Sequence, residues 1–334
     1  MDSRVLVLGA NGYLGLHVVD ALRAEGVEPR CGRRRRSNVL GLLSRRAERV
    51  LADLDEPDTL GAAMAGVHTV VHVAGHYPRH SLDPVGSEAL ARRQAHAVVA
   101  AAEAAGVRRL VYVSSTATVA PRPDGGAATE ADRWPAAPPH GLYHRLKWAM
   151  EEIFAAAHDM EVRVALPSGC IGPGDLRVGT SALVVALGRG MDPPHNDGVV
   201  SIVDPRDVAV GVARMAVRAD APARVILSGE SRRLHALLTD AAPHLGVAPP
   251  SPPMSDAAFL ELARRSEADA RESGVRAGLS VEIAELAVHG VPLDASLAER
   301  SLGLRFRPFG ESLADFVRWA TPLGFFTPQP EPSP

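Results

Sequence analysis

The stretch "LVLGANGYLGLHVVDAL", residues 6–22, places Gly9, Gly12 and Gly15 between a short apolar run and a helical pattern. The apolar run predicts a strand buried on both faces, and the leucine and valine spacing that follows predicts a helix. Glycines at such a turn let the backbone approach a pyrophosphate, whose charge is favoured at the N-terminus of the helix. The stretch therefore predicts a dinucleotide-binding turn at the start of a parallel sheet.

Strand-like and helical segments alternate through the first half of the chain. Apolar strand patterns cover 66–75, 107–119 and 161–169, and helical patterns cover 87–106 and 142–159. This alternation predicts an α/β fold of Rossmann type, in which a doubly wound parallel sheet has helices on both faces.

The chain is long enough for a second, smaller unit. We assign 1–166 and 199–230 to the dinucleotide-binding unit, and 167–198 and 231–325 to a mostly helical substrate-binding unit. The proline-rich end, residues 326–334, is predicted to be disordered.

Composition and charge are those of an ordinary globular protein. The chain has 334 residues and a formal net charge of -3, which gives no reason to expect a nucleic-acid partner. Its two cysteines, Cys31 and Cys170, predict no disulfide framework. No apolar run reaches the roughly 18 residues that a membrane span needs. We therefore expect a cytoplasmic protein with neither a membrane nor a nucleic acid as partner.

Two pairs of histidines have the spacing of metal ligands on a helix. They are His76 with His80 and His140 with His144. Pro78 argues against a helix at the first pair, and the first pair has no third ligand nearby in the sequence. We expect no metal site.

The residues after the second predicted strand bear on which dinucleotide binds. In NAD sites an acidic residue usually ends this strand, whereas here "VEPRCG" (27–32) is followed by four arginines. A guanidinium can bind a 2′-phosphate bidentately, so we favour NADP(H) over NAD(H), with Arg33 and Arg34 as the binding residues. Asp53, at the expected end of the third strand, is either an acceptor for the adenine amino group or the acidic residue of a helix N-terminus.

Tyr143 and Lys147 lie four residues apart in "YHRLK", so on a helix they share one face. A free tyrosine has a pKa near 10 and is a poor acid-base catalyst at neutral pH. A neighbouring ammonium favours the phenolate and brings that pKa closer to the working range. The pair predicts a general acid-base with its activating lysine.

A cluster of hydroxyl residues ends the strand pattern "VYVSSTATV" (111–119). The carboxyl edge of an open α/β sheet is where ligands bind, so Ser115 or Thr116 can hold a substrate carbonyl beside the tyrosine. Capping of the strand end by these side chains is the structural alternative.

These motifs occur together in a known order. The glycine turn, "DL" at 53–54, "VVHVAG" at 70–75, "VYVSSTATV", "YHRLK", "LPSGCIGPGD" at 166–175 and "VDPRDVA" at 203–209 follow one another along the chain. The sequence resembles the extended short-chain dehydrogenase/reductase superfamily, in the branch of sugar-nucleotide epimerases, dihydroflavonol reductases and 3β-hydroxysteroid dehydrogenases. The resemblance covers about residues 1–230, and the end of the chain also looks similar.

The resemblance assigns roles to individual positions. It implies that Tyr143 is the acid-base, that Lys147 activates it and holds the nicotinamide ribose, and that Thr116 or Ser115 binds the carbonyl. Thr116 is the choice if epimerases are the guide, and Ser115 if dihydroflavonol reductases are. The positions expected to contact the cofactor, besides Arg33 and Arg34, are Gly9, Asn11, Gly12, Tyr13, Leu14, Gly15, Asp53, Leu54, Ala74, Gly75, Lys147, Pro167 and Ser168.

Two departures from the family pattern bear on the substrate. The family's "NVxGT" stretch corresponds here to "ARRQA" (91–95), and its Val-Tyr-Gly corresponds to "VAP" (119–121). Both favour an NADP-dependent reductase of a relatively apolar ketone of polyketide, steroid or flavonoid type. The alternatives are a nucleotide-sugar epimerase or dehydratase with tightly bound NAD, and a non-catalytic NADP-sensing regulator. The expected partner is a small carbonyl substrate, with a homodimer as an open possibility.

Overall fold

The computed structural model describes residues 4–76, 83–274 and 277–326. Its strands are β1 (Val5–Leu8), β2 (Arg30–Arg33), β3 (Arg49–Leu51), β4 (Thr69–His72), β5 (Arg109–Val113), β6 (Glu161–Pro167), β7 (Gly169–Cys170), β8 (Val199–Val203), β9 (Arg224–Leu227) and β10 (Glu230–Arg233). Its helices are α1 (Tyr13–Ala24), α2 (Leu40–Ser44), α3 (Pro57–Met64), α4 (Pro84–Ala104), α5 (Leu142–Ala155), α6 (Ala182–Gly188), α7 (Pro205–Val217), α8 (Leu234–Leu245), α9 (Asp256–Ser273), α10 (Val281–Val288), α11 (Ser296–Leu302) and α12 (Phe309–Ala320).

Seven strands form one parallel sheet in the order β3-β2-β1-β4-β5-β6-β9. The order reverses between β1 and β4, whose registers pair Val5 with Thr69 and Leu8 with His72. Crossover helices lie on both faces, as the alternation of strands and helices predicts. The Rossmann-type fold is thus confirmed, and the carboxyl ends of β1 and β4 flank the point where such sheets bind ligands.

Each face of the sheet has its own core. One contains the buried side of α1 and α7, including Val18 and Val212, packed on β1 and β4. The other contains α3, α4 and α5, with Leu146 and Phe154 among its fully or almost fully buried residues. The second core holds helix α5 against the sheet, beside β5.

A second unit packs against this edge. Its core is formed by α6, α8, α9, α10 and α12, and it includes a three-stranded sheet of order β10-β8-β7. The chain crosses between the units more often than the sequence boundaries predict. Strand β8 lies in the small sheet and not, as the predicted range 199–230 implies, in the dinucleotide unit, because an apolar strand pattern does not specify which sheet the strand joins. Helix α11, inside the predicted 231–325, contributes Leu302 to the core beneath α7.

The predicted tail begins one residue too early. Phe326 is 7% exposed and its ring lies 6.0 Å from that of Phe316, so burial of apolar area holds it in the second core. Residues 327–334, the rest of that prediction, lie outside the described residues. None of the helices in the described ranges is long and apolar enough to cross a membrane.

Candidate active site

The glycine turn forms a cradle between β1 and α1. Gly9 has a φ of +82°, and a Cβ there would lie 2.9 Å from the backbone nitrogen of Ala74. A Cβ on Gly15 would lie 2.2 Å from the carbonyl oxygen of Gly9, so only glycine allows α1 to start this close to β1. Gly12 is the N-cap of α1 and offers no side chain to the first-turn N–H groups. Those groups suit a pyrophosphate, because an anion is favoured at an uncapped helix N-terminus.

Side chains around the cradle hold neighbouring loops in place. Asn11 Nδ2 donates to the carbonyl of Asn38, in the loop after β2, at 3.3 Å. The Tyr13 hydroxyl donates to the carbonyl of Gly172 at 3.0 Å, and burial raises its pKa well above the usual value. The Tyr13 hydroxyl is therefore engaged within the protein, and its backbone N–H belongs to the first turn of α1. Leu14 is partly buried against the sheet.

Arginines follow β2 at the same edge. Arg33 ends the strand, and its guanidinium donates to the carbonyls of Arg34 and Arg35 at 3.3 and 3.5 Å. Arg35 pairs with Glu56 at 3.2 Å. Arg34 is exposed and forms no ion pair within the described residues. The strand end carries no carboxylate, and at least one guanidinium there is available to an anion.

The segment after β3 contains two predicted cofactor contacts, Asp53 and Leu54, which differ in burial. Asp53 is half-buried, and its carboxylate accepts the N–H of Asp55 at 3.2 Å. Helix α3 begins only at Pro57, with Glu56 as N-cap, so Asp53 is not an acid of the helix N-terminus. That alternative from the sequence was wrong, whereas the adenine contact stays a prediction. The side chain of Leu54 is 7% exposed and belongs to the core, and its contact with the cofactor stays a prediction.

Tyr143 and Lys147 share one face of α5, as their spacing predicts. Tyr143 is 9% exposed, and Lys147 Nζ lies 5.9 Å from the centre of its ring. The lysine donates to the carbonyl of Val113 at the end of β5, at 3.1 Å, and lies 5.2 Å from the ring centre of Tyr112. Burial lowers the pKa of Lys147 to about 8, against the opposing charge of Glu151. The ammonium is therefore still the main form at pH 7, beside the tyrosine.

The hydroxyl cluster lies at the carboxyl end of β5. Ser115 is 9% exposed, and its Oγ accepts the N–H of Ala117 at 3.2 Å, so capping of a short 3₁₀ turn uses part of its capacity. Thr116 is half-buried, and its hydroxyl makes no hydrogen bond to the described residues. Both hydroxyls can still donate a hydrogen bond to a carbonyl. The Thr116 hydroxyl makes fewer hydrogen bonds to the described residues than that of Ser115.

A buried carboxylate that the sequence motifs do not predict connects these groups. Glu151, one turn beyond Lys147, is 2% exposed. Its Oε1 accepts from Ser114 Oγ at 2.5 Å and Thr118 Oγ1 at 2.6 Å, on either side of the hydroxyl cluster. Arg224 lies 3.4 Å from its other oxygen. Glu151 thus fixes α5 to the end of β5. The sequence feature that could have identified it is its position four residues after Lys147, on the same buried face of the helix.

The remaining predicted positions line the same edge. Ala74 and Gly75 follow β4, next to the glycine cradle. Pro167 ends β6, and Ser168 is 7% exposed, with its Oγ accepting from Ser228 Oγ at 3.0 Å. Because all these strands are parallel, the glycine cradle, the hydroxyl cluster and these residues meet at one edge.

Two further groups near α5 were not anticipated. Glu282, from α10, accepts hydrogen bonds at the start of α5. His72, at the end of β4, is fully buried, and neither ring nitrogen has a hydrogen-bond partner among the described residues. Burial, together with the charge of Lys147, lowers the pKa of His72 to about 3. Glu282 is 139 residues from Tyr143 in the chain, so no local pattern could reveal this contact.

His140 and His144 are not part of a metal site in the part of the chain that is described. There, no group of three or more His, Cys, Asp or Glu side chains could hold an ion. His76 instead lies 3.0 Å from Ser87 Oγ, and His140 stacks on His289 with ring centres 3.9 Å apart. His80 lies outside the described residues.

Comparison with known proteins identifies the fold and family. A Synechocystis protein whose name assigns it provisionally as a dihydroflavonol 4-reductase is 28% identical over 339 residues, which span 98% of each chain. The structure of gox2253 has a TM-score of 0.84 at 27% identity and covers 97% of this chain and 100% of that one. The yeast methylglyoxal/isovaleraldehyde reductase Gre2, complexed with NADPH, shares the fold, with a TM-score of 0.72, 18% identity and 97% and 100% coverage.

The family model that matches is that of the NAD dependent epimerase/dehydratase family, over residues 5–191. This range contains the glycine cradle, the hydroxyl cluster and the Tyr143–Lys147 pair. More than half of the chain is covered, and the chain therefore belongs to the NAD-dependent epimerase/dehydratase family of extended short-chain dehydrogenases/reductases and is an NAD(P)-dependent oxidoreductase.

Proposed function

We propose that the protein is an NADP-dependent reductase of a small, relatively apolar ketone. The observation that carries this proposal is the meeting of Tyr143, Lys147 and the Ser115–Thr116 hydroxyls at the edge that holds the glycine cradle. The reductase names of the Synechocystis relative and of Gre2 agree with it. The departures from the family pattern at 91–95 and 119–121 favour an apolar substrate over a sugar nucleotide.

Each residue of this site would have a different role in the reduction. When bound, the nicotinamide supplies the hydride that reduces the carbonyl carbon. Ser115 or Thr116 donates a hydrogen bond to the carbonyl oxygen, which positions the carbon and polarises the C=O bond. Tyr143 donates its proton to that oxygen, so ketone, hydride and proton together give the alcohol. The ammonium of Lys147 stabilises the phenolate left behind until solvent returns the proton.

The preference for NADP(H) is supported by charge at the end of β2. A 2′-phosphate needs a nearby cation and is repelled by a carboxylate at the strand end. Arg33 stands at that end and Arg34 follows it with an exposed guanidinium, whereas Glu56 neutralises Arg35. The cradle would hold the pyrophosphate of the dinucleotide, and this basic loop would hold the 2′-phosphate on its adenine ribose.

The proposal is tested by following NADPH and NADH oxidation with a panel of steroid, polyketide and flavonoid ketones. Tyr143→Phe should lower kcat by about 100-fold or more and leave NADPH binding unchanged, because general acid catalysis contributes about that much. Arg34→Ala should raise the KM for NADPH and not for NADH; Arg36→Ala, two residues on in the same exposed loop, is the matched control.

Two results would overturn the proposal. One is full reductase activity in Tyr143→Phe. The other is an enzyme that turns over nucleotide sugars on copurified NAD without net cofactor consumption, which would identify the epimerase or dehydratase alternative instead.

A further inference from the structure

The catalytic helix α5 begins without a cap of its own. Its N-cap is Gly141, which has a φ of +60° and no side chain to offer, and the first turn contains no acidic residue. The first N–H groups of any helix lack partners within the helix. Here they belong to buried residues, Leu142 and Tyr143, so leaving them unpaired would be costly.

The missing cap comes from the substrate-binding unit. Glu282, in the first turn of α10, is 3% exposed. Its Oε2 accepts the N–H of Tyr143 at 2.7 Å, and its Oε1 accepts the N–H of Leu142 at 3.2 Å. Hydrogen bonds to an ionised carboxylate are stronger than neutral ones, and a negative charge is favoured at a helix N-terminus. One side chain thus binds the backbone of the acid-base residue itself.

A second contact joins the same two elements. His140, just before α5, stacks on His289 at the end of α10, with ring centres 3.9 Å apart and planes 18° apart. Helix α10 is itself held from behind, because Glu267 of α9 accepts the N–H of Val281 at 2.9 Å. The start of α5 is therefore joined to α10 both by a backbone cap and by a ring stack.

We propose that Glu282 is a positioning residue, which makes the placement of Tyr143 depend on the docking of the substrate-binding unit. In this role it acts through Tyr143, because it fixes the backbone from which the phenol projects. This inference rests on the proposed function, in which Tyr143 is the acid. Loss of the cap should lower kcat more than it weakens substrate or cofactor binding, because misplacement of a catalytic group acts on the reaction step.

The test compares Glu282→Gln and Glu282→Asp with Glu267→Gln. The last removes an equally buried carboxylate that caps α10 instead of α5, so it reports the purely structural cost of such a change. We expect Glu282→Gln to lower kcat about tenfold, equal to about 1.4 kcal/mol, with NADPH affinity unchanged. Glu267→Gln should lower Tm without a comparable loss of kcat. Glu282→Asp keeps the charge but shortens the side chain, and it serves as a second variant if the amide variant does not fold.

Amide hydrogen exchange provides a readout independent of activity. Faster exchange at Leu142 and Tyr143 in the Glu282 variants, and not in Glu267→Gln, would support the contact even if the ketone panel is inactive. Equal kcat values in the Glu282 variants and the wild type, while Tyr143→Phe is inactive, would overturn the positioning role and leave the proposed function intact. Unchanged exchange at both amides would overturn the contact itself.

Discussion

Replacement of Lys147 by methionine should stabilise the protein while abolishing turnover. Burial lowers the pKa of this lysine from its ordinary 10.5 to about 8, which means that the folded state holds the proton less well than the unfolded chain. At about 1.4 kcal/mol per tenfold change in proton affinity, the charged lysine costs the folded state about 3 kcal/mol at pH 7. Loss of its hydrogen bond to the carbonyl of Val113 removes about 1 kcal/mol. The net gain expected for Lys147→Met is about 2 kcal/mol.

The pH dependence of this gain identifies its cause. Between about pH 8 and 10.5 the unfolded chain binds the lysine proton and the folded protein does not, so the wild type gains stability as pH rises through this window. The advantage of Lys147→Met should therefore be largest below pH 8 and shrink towards pH 10. Urea unfolding of both proteins at pH 7 and 9.5 measures it. A variant less stable than the wild type by the same amount at both pH values would refute the reasoning.

Two further changes test the core and the cradle. His72→Phe should raise the free energy of unfolding by about 1 kcal/mol at pH 7, since it removes two unpaired ring nitrogens. The gain should be larger at pH 5. Because the folded protein lowers the pKa of His72 from its ordinary 6.5 to about 3, the wild type loses stability as pH falls below 6.5. Equal gains at both pH values in thermal unfolding would contradict this. Gly15→Ala should abolish NADPH binding in a fluorescence titration, because its Cβ would lie 2.2 Å from the Gly9 carbonyl oxygen. Gly61→Ala, where a helical Cβ meets nothing within 4 Å, should bind normally and gain about 0.5–1 kcal/mol in stability.

The features that could be predicted from the sequence are those that a short local pattern specifies. The glycine turn and the Tyr143–Lys147 pair depend on spacing within one turn or one helix, and the structure shows both as expected. Their meeting at one edge follows from parallel strands, whose carboxyl ends share that edge. This is why a few motifs were enough to place most of the candidate site.

Features that depend on distant pairing could not be predicted in this way. The apolar pattern of β8 is satisfied by either sheet, and only its pairing with β10 and β7 decides between them. The role of Glu282 depends on how α10 docks, and the "DL" pattern gave no sign that Leu54 would be buried in the core. In each case the deciding contact lies far away in the chain, where periodicity carries no information.

The interleaving of the two units has a consequence for how such proteins can be recombined. Ala128 exchanges backbone hydrogen bonds with Pro292 and Asp294 at 2.8 Å, and α11 returns from the second unit to pack beneath α7. A chimera that joins residues 1–230 to the C-terminal region of a relative would need matching strand edges at 128 and 293, and a matching leucine at 302. Exchange of specificity between relatives is therefore expected to succeed through the segment between β7 and β8, rather than through a single crossover at residue 230.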